Sequence, residues 1–106
     1  ALWAGTPILT MPGRSFAARV AASLCRAMDM DELVADDRAA YEARALALAS
    51  DREALAGLRE RLSRARLTAP LFDSARHARH LEAAYEAMHA AAVAGKFDDI
   101  TIAPLN

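Results

Sequence analysis

A short apolar run pinned between two prolines most constrains how this chain can fold. Pro7-Ile8-Leu9-Thr10-Met11-Pro12 has the length of a strand, and its unbroken apolar character fits a buried parallel strand. Prolines at both ends keep it out of a helix interior. Pro12-Gly13 ends the run. Ser15 then stands where a helix N-cap belongs, ahead of Phe16, Val20, Leu24 and Met28 at four-residue spacing, with Ala17, Ala21 and Cys25 beside them. Strand, glycine-containing turn and helix together make half of a βαβ unit.

The flanking sequence completes the expectation. Ala1-Leu2-Trp3-Ala4-Gly5 reads as the last turn of a helix closing on a C′ glycine, with Pro7 as a stop. A last turn cannot nucleate by itself, so the chain is expected to be a piece of a longer one. Glu32-Leu33-Val34-Ala35 reads as a short, weak second strand parallel to the first. Asp36 or Asp37 caps the next helix, which carries Tyr41, Ala45 and Leu48 on one face. Ser50-Asp51-Arg52-Glu53 has the form of a capping box with Ser50 as N-cap, opening a helix with Leu55, Leu58, Leu62 and Ala65. Asp73 caps the longest helix, expected over residues 73–95, with Leu81, Tyr85, Met88 and Ala92 inward and Gly95 at its end. Ile100-Thr101-Ile102 is expected to pack or pair. The expected fold is α/β and mostly helical: one or two short strands and about four helices, a single partial domain over residues 1–106. So small a sheet needs partner strands from elsewhere.

Composition removes several function classes. Alanine supplies 28 of the 106 residues, so the 55% hydrophobic content leaves only an ordinary allotment of large apolar side chains. No apolar run approaches the roughly 18–20 residues of a bilayer span. Thirteen basic against 14 acidic residues, a net charge of −1, gives no basic footprint for nucleic acid or membrane. The single cysteine, Cys25, permits no intrachain disulfide, and a reducing, cytoplasmic setting is expected. His77 and His80 can share a helix face, but with His89 farther along no third metal ligand is spaced to join them, so no metal is expected. Cys25 reads as a small core residue. The arginines from Arg52 to Arg66 are interleaved with Glu53 and Glu60, the pattern of a solvated helix face.

In order and spacing, several stretches resemble a known family. Leu2-Trp3-Ala4-Gly5-Thr6-Pro7, Leu9-Thr10-Met11-Pro12-Gly13 and Arg19-Val20-Ala21-Ala22-Ser23 are similar to the C-terminal catalytic lobe of the O-linked N-acetylglucosaminyltransferases. That group includes bacterial members attached to tetratricopeptide arrays and the plant SPINDLY-type proteins. Pro70-Leu71-Phe72-Asp73 and His80-Leu81-Glu82-Ala83-Ala84-Tyr85 extend the resemblance. It implies the second Rossmann-like lobe of a two-lobed GT-B glycosyltransferase. It also implies transfer of N-acetylglucosamine from UDP to a protein Ser or Thr hydroxyl, with inversion and without a metal or other cofactor. In such enzymes the leaving diphosphate is held by helix N-terminal N–H groups and cationic side chains. The family's nucleotide-contacting His-Thr-Thr-x-x-Asp stretch belongs upstream of Ala1, as do the first lobe and the tetratricopeptide array. No residue here therefore inherits a catalytic role, and the chain alone is expected to be inactive.

One candidate site remains. The turn Gly13, Arg14 and Ser15 follows the strand at its C-terminal end, where open α/β sheets place ligands, and it opens a helix. In plant glycosyltransferases that use nucleotide sugars, which the chain resembles more loosely, the equivalent loop faces the donor sugar. Arg14 departs from the acid found there in animal members. The rival reading is a non-enzymatic helical interaction or dimerisation module. A piece with uncovered apolar faces is expected to self-associate or exchange elements between copies, whereas a self-standing module is expected to be a clean monomer or dimer.

Overall fold

The computed structural model describes residues 1–105. Its helices are α1, Phe16–Ala27; α2, Arg38–Ser50; α3, Arg52–Ala65; and α4, Ser74–Val93. Single 3-10 turns lie at Leu2–Ala4, Asp31–Leu33 and Pro70–Phe72. The chain divides into two compact units, residues 1–72 and residues 73 onward.

In the first unit the expected strands are reduced to one parallel bridge between Thr10 and Val34, and no strand forms among the described residues. Thr10 donates to the Leu33 carbonyl at 2.9 Å, and Ala35 donates to the Thr10 carbonyl at 2.8 Å. The ladder cannot lengthen. Pro12 has no N–H to offer. On the other side, Leu33 and Val34 spend their N–H groups within the 3-10 turn, on Met30 and Asp31. The mostly helical expectation is met, and among the described residues one parallel bridge stands where the strands were expected.

Helix starts follow side-chain caps. Ser15 Oγ accepts from Ala18 N–H, Asp37 Oδ1 from Ala40, and Asp51 Oδ1 from Ala54. Asp51, not Ser50, is the cap of α3; Ser50 is still helical at the end of α2. The Leu2–Ala4 turn and α1 close on left-handed residues. Gly5 has φ 81°, with Thr6 donating back to the Ala1 carbonyl. At the end of α1, Asp29 takes φ 57°, and Met30 N–H reaches the Cys25 carbonyl in the same closing pattern.

The core of this unit is Leu2, Cys25, Met28, Met30, Leu33, Leu58 and Leu62, with Ile8, Val34, Leu48, Ala65 and Leu71 against it. Leu58 and Leu62 stand on the expected face of α3. The stripe expected to be buried on α1 is buried only at its C-terminal end: Met28 lies in the core and Leu24 packs against it, whereas Phe16 is 81% exposed and Val20 is exposed, and Ala22 and Cys25 are fully buried beside them. Small side chains let the Pro7–Pro12 segment approach the helix closely. The Cys25 thiol donates to the Ile8 carbonyl at 3.4 Å across that approach. Burial pushes the thiol's pKa up, against the pull of the Arg26 charge. It is a core residue, as expected. Trp3 is held between the Arg66 guanidinium, 5.4 Å from the ring centre, and the edge of Phe72 at 5.0 Å. Arg61 pairs with Glu32 and donates to the Asp29 carbonyl.

The second unit is α4 with its tail. Asp73 Oδ1 caps it through Arg76 N–H, as expected. Its end closes on Gly95, φ 70°, with Lys96 N–H bonded to Ala91 and Gly95 N–H to Ala92. The inner face is again corrected. Leu81, Tyr85 and Met88 are exposed, and the half-buried face holds His80, Ala83, Ala84, Ala87 and Ala91. The tail packs rather than pairs: Leu105 N–H donates to His80 Nε2 at 2.9 Å, and Ile102 is half-buried. No helix among the described residues is long and apolar enough to cross a membrane.

Candidate functional site

The Gly13-Arg14-Ser15 turn links the bridged segment to the N-terminus of α1, so the structure brings all three residues to one helix mouth. Two hydrogen bonds fold the turn onto the helix. Gly13 N–H donates to the Ala18 carbonyl at 3.2 Å, and Ser15 Oγ accepts from Ala18 N–H, also at 3.2 Å. Gly13 is required by space rather than by torsion: a Cβ there would stand 2.9 Å from the Cβ of Ala18. The turn therefore lies as close to α1 as a backbone can.

The mouth is electropositive. The first turn of α1 carries no acidic side chain. Arg14 is exposed beside it, and Arg19 reaches back to the Ser15 carbonyl with an Nε contact of 3.4 Å. The helix dipole adds partial positive charge at the same end. Ser15 has its oxygen engaged as a cap, which leaves its O–H as a donor toward solvent. The arrangement offers hydrogen-bond donors and positive charge to an anionic or hydroxyl-rich ligand, with no acid or base placed for proton transfer. Arg19 was missed in the sequence reading. Its signal was its position, four residues past the cap, from which a long side chain reaches the N-cap carbonyl.

The remaining candidates lie elsewhere. His77 and His89 are exposed, and His80 holds the tail. Among the described residues no group of three His, Cys, Asp or Glu side chains is gathered to hold a metal ion. Glu32 is a carboxylate with a perturbed pKa. Burial acts to raise it, but its own backbone N–H, the Arg61 hydrogen bond and charge, and Arg44 together hold it below the usual glutamate value. It stands with Arg61 as a structural pair.

Residues 1–81 match the glycosyl transferase family 41 sequence pattern. The chain belongs to glycosyl transferase family 41. Its relatives agree. It is 40% identical over 85 residues to the probable UDP-N-acetylglucosamine–peptide N-acetylglucosaminyltransferase SEC of Arabidopsis thaliana, which is 79% of this chain and 9% of that protein. It is 41% identical over 81 residues to the UDP-N-acetylglucosamine–peptide N-acetylglucosaminyltransferase of Caenorhabditis elegans, 76% of this chain and 7% of the relative. It is 36% identical over 87 residues to the probable SPINDLY transferase of Solanum lycopersicum, 82% of this chain and 9% of the relative. The chain thus spans less than a tenth of the length of these relatives. The family-41 match takes in the whole first unit, including the Gly13–Ser15 turn, and ends at Leu81 within α4. The resemblance to the C-terminal region of the O-linked N-acetylglucosaminyltransferases therefore stands.

Proposed function

We propose that the chain forms part of the second Rossmann-like lobe of a GT-B glycosyltransferase that carries N-acetylglucosamine from UDP to protein Ser or Thr hydroxyls. The observation that carries this reading is the parallel Thr10–Val34 bridge feeding the Gly13–Ser15 turn into the N-terminus of α1, inside the family-41 match. A lone parallel bridge is the start of a sheet whose other strands come from the rest of the lobe. In that lobe, Gly13, Arg14 and Ser15 face the donor sugar. The α1 N–H groups, Arg14 and the Ser15 hydroxyl bind its oxygens, and Arg19 positions Ser15. Charge on the departing diphosphate is met by fixed donors rather than by a metal or another cofactor. The acceptor protein, a first lobe and a tetratricopeptide array complete the enzyme, in the cytoplasm.

The turn supplies donors but no base, so the 106-residue chain by itself transfers no sugar and binds UDP only weakly. Calorimetry with UDP should give no heat at micromolar concentration; micromolar affinity would overturn the weak binding of UDP by the isolated chain. Amide NMR with millimolar UDP-N-acetylglucosamine tests the turn. Shifts should concentrate at residues 13–19, and shifts elsewhere, or none, would remove the turn from the donor site.

A further inference from the structure

An open groove of about 390 Å³ adjoins the Gly13–Ser15 turn, lined along α1 by Phe16, Arg19, Val20, Ser23, Leu24 and Arg26. Phe16 follows Ser15 directly, so the groove begins at the helix mouth and runs away from it. Helical spacing sorts the lining. Arg19 and Arg26 form one flank, about 10 Å apart along the axis; Val20 and Leu24 form the other; Phe16 and Ser23 lie between. Phe16 and Val20 are exposed and Leu24 is half-buried. The charge here has one sign, because α1 holds no acidic residue. Among the described residues neither Arg19 nor Arg26 is ion-paired, whereas Arg38, Arg61 and Arg64 each have a glutamate partner. An apolar flank facing two unpaired cations fits an acidic partner with an apolar side chain of its own.

We propose that this groove is an acceptor subsite: it holds an acid–apolar–acid stretch of the acceptor polypeptide, close in sequence to the Ser or Thr that receives the sugar. The inference rests on the donor reading of the Gly13–Ser15 turn. Arg19 and Arg26 lie about 6 Å and about 16 Å along the helix from Ser15. In extended chain that reach corresponds to about two to five residues from the reacting hydroxyl. Carboxylates two residues apart project to the same side, about 7 Å from each other, within reach of both long arginine side chains. The residue between them projects to the opposite side, where Val20 and Leu24 stand. The groove thereby selects acceptors by charge, while the turn selects the donor.

Amide NMR of the 106-residue chain tests this with synthetic peptides. Two peptides carry one serine with an Asp-Leu-Asp triplet about three residues before or after it; their controls carry Asn-Leu-Asn or Lys-Leu-Lys. One Asp-Leu-Asp peptide should shift residues 16–26, less strongly at high salt. Its Asn-Leu-Asn control should bind about tenfold more weakly, and its Lys-Leu-Lys control should shift nothing. Arg26→Glu should abolish the preference for the acidic peptide and Arg26→Gln should reduce it, with circular dichroism checking that the helices are kept. A nitroxide in place of the serine should broaden residues 13–16 more than residues 24–26. Equal binding of the three triplets, shifts outside the groove, a preference indifferent to Arg26, or broadening strongest at Arg26 would overturn the inference. A parallel titration with UDP-N-acetylglucosamine separates the two readings. Donor shifts at the turn with no peptide shifts overturn the acceptor subsite alone; peptide shifts with no donor shifts overturn the donor reading and the acceptor role together.

Discussion

Replacing Gly13 with alanine sets a Cβ against the Cβ of Ala18 at 2.9 Å, and neither backbone can yield without breaking the Gly13–Ala18 hydrogen bond. The expected loss is about 1–3 kcal/mol, the usual cost of overpacking, read as a lower melting temperature. The sequence marks Pro12-Gly13 as a break but cannot say why the glycine is needed, because the constraint comes from a residue five positions ahead. Glu32 gives a second test at this scale. Its pKa is lowered in the folded chain, so the Arg61 pairing contributes stability that is complete above the ordinary glutamate value and is lost as pH falls through the depressed one. Both side chains are partly solvated, which limits the effect to under about 1 kcal/mol. Urea denaturation at neutral and strongly acid pH should show that increment in the wild type and not in Glu32→Gln.

Among the elements, helix starts were more legible than helix faces. Four caps draw on Ser15, Asp37, Asp51 and Asp73; Ser15 and Asp73 follow directly from residue type and position, and Asp37 is one of the two alternatives, with Asp36, that the sequence offers. The fourth was misplaced by one residue because Ser50 and Asp51 both satisfy the rule, and only the run of α2 through Ser50 decides between them. Asp51→Ala should therefore cost about 1 kcal/mol in thermal unfolding, while Ser50→Ala should be near neutral. The α3 face was read correctly, with Leu58 and Leu62 buried, whereas the start of α1 and the face of α4 were misread for a different reason. Periodicity finds an apolar stripe but not the element that covers it. In α1 the Ile8 backbone needed small neighbours, so Ala22 and Cys25 went inside; in α4 the tail anchors at His80 on the alanine side. Alanine-lined faces permit close approach of backbone, and that gain competes with burying a larger stripe.

At the scale of the whole molecule, the first unit rests on a small aliphatic and sulfur-containing core. Leu62 is fully buried at its centre. Leu62→Ala should cost about 2–5 kcal/mol, a large share of the roughly 5–15 kcal/mol of a typical domain. Its urea midpoint should fall sharply, and loss of ellipticity before any denaturant is the extreme outcome. The sheet was the least legible part: the apolar run was rightly read as parallel-paired, but its length depends on donors that Pro12 and the Asp31–Leu33 turn withhold. The same unit carries the chain's one tryptophan, half-exposed under the Arg66 guanidinium. That makes Trp3 an optical gauge of local electrical potential. Iodide, drawn in by the cation above the ring, should quench its emission far more efficiently than caesium, and Arg66→Gln should erase the difference between the two ions.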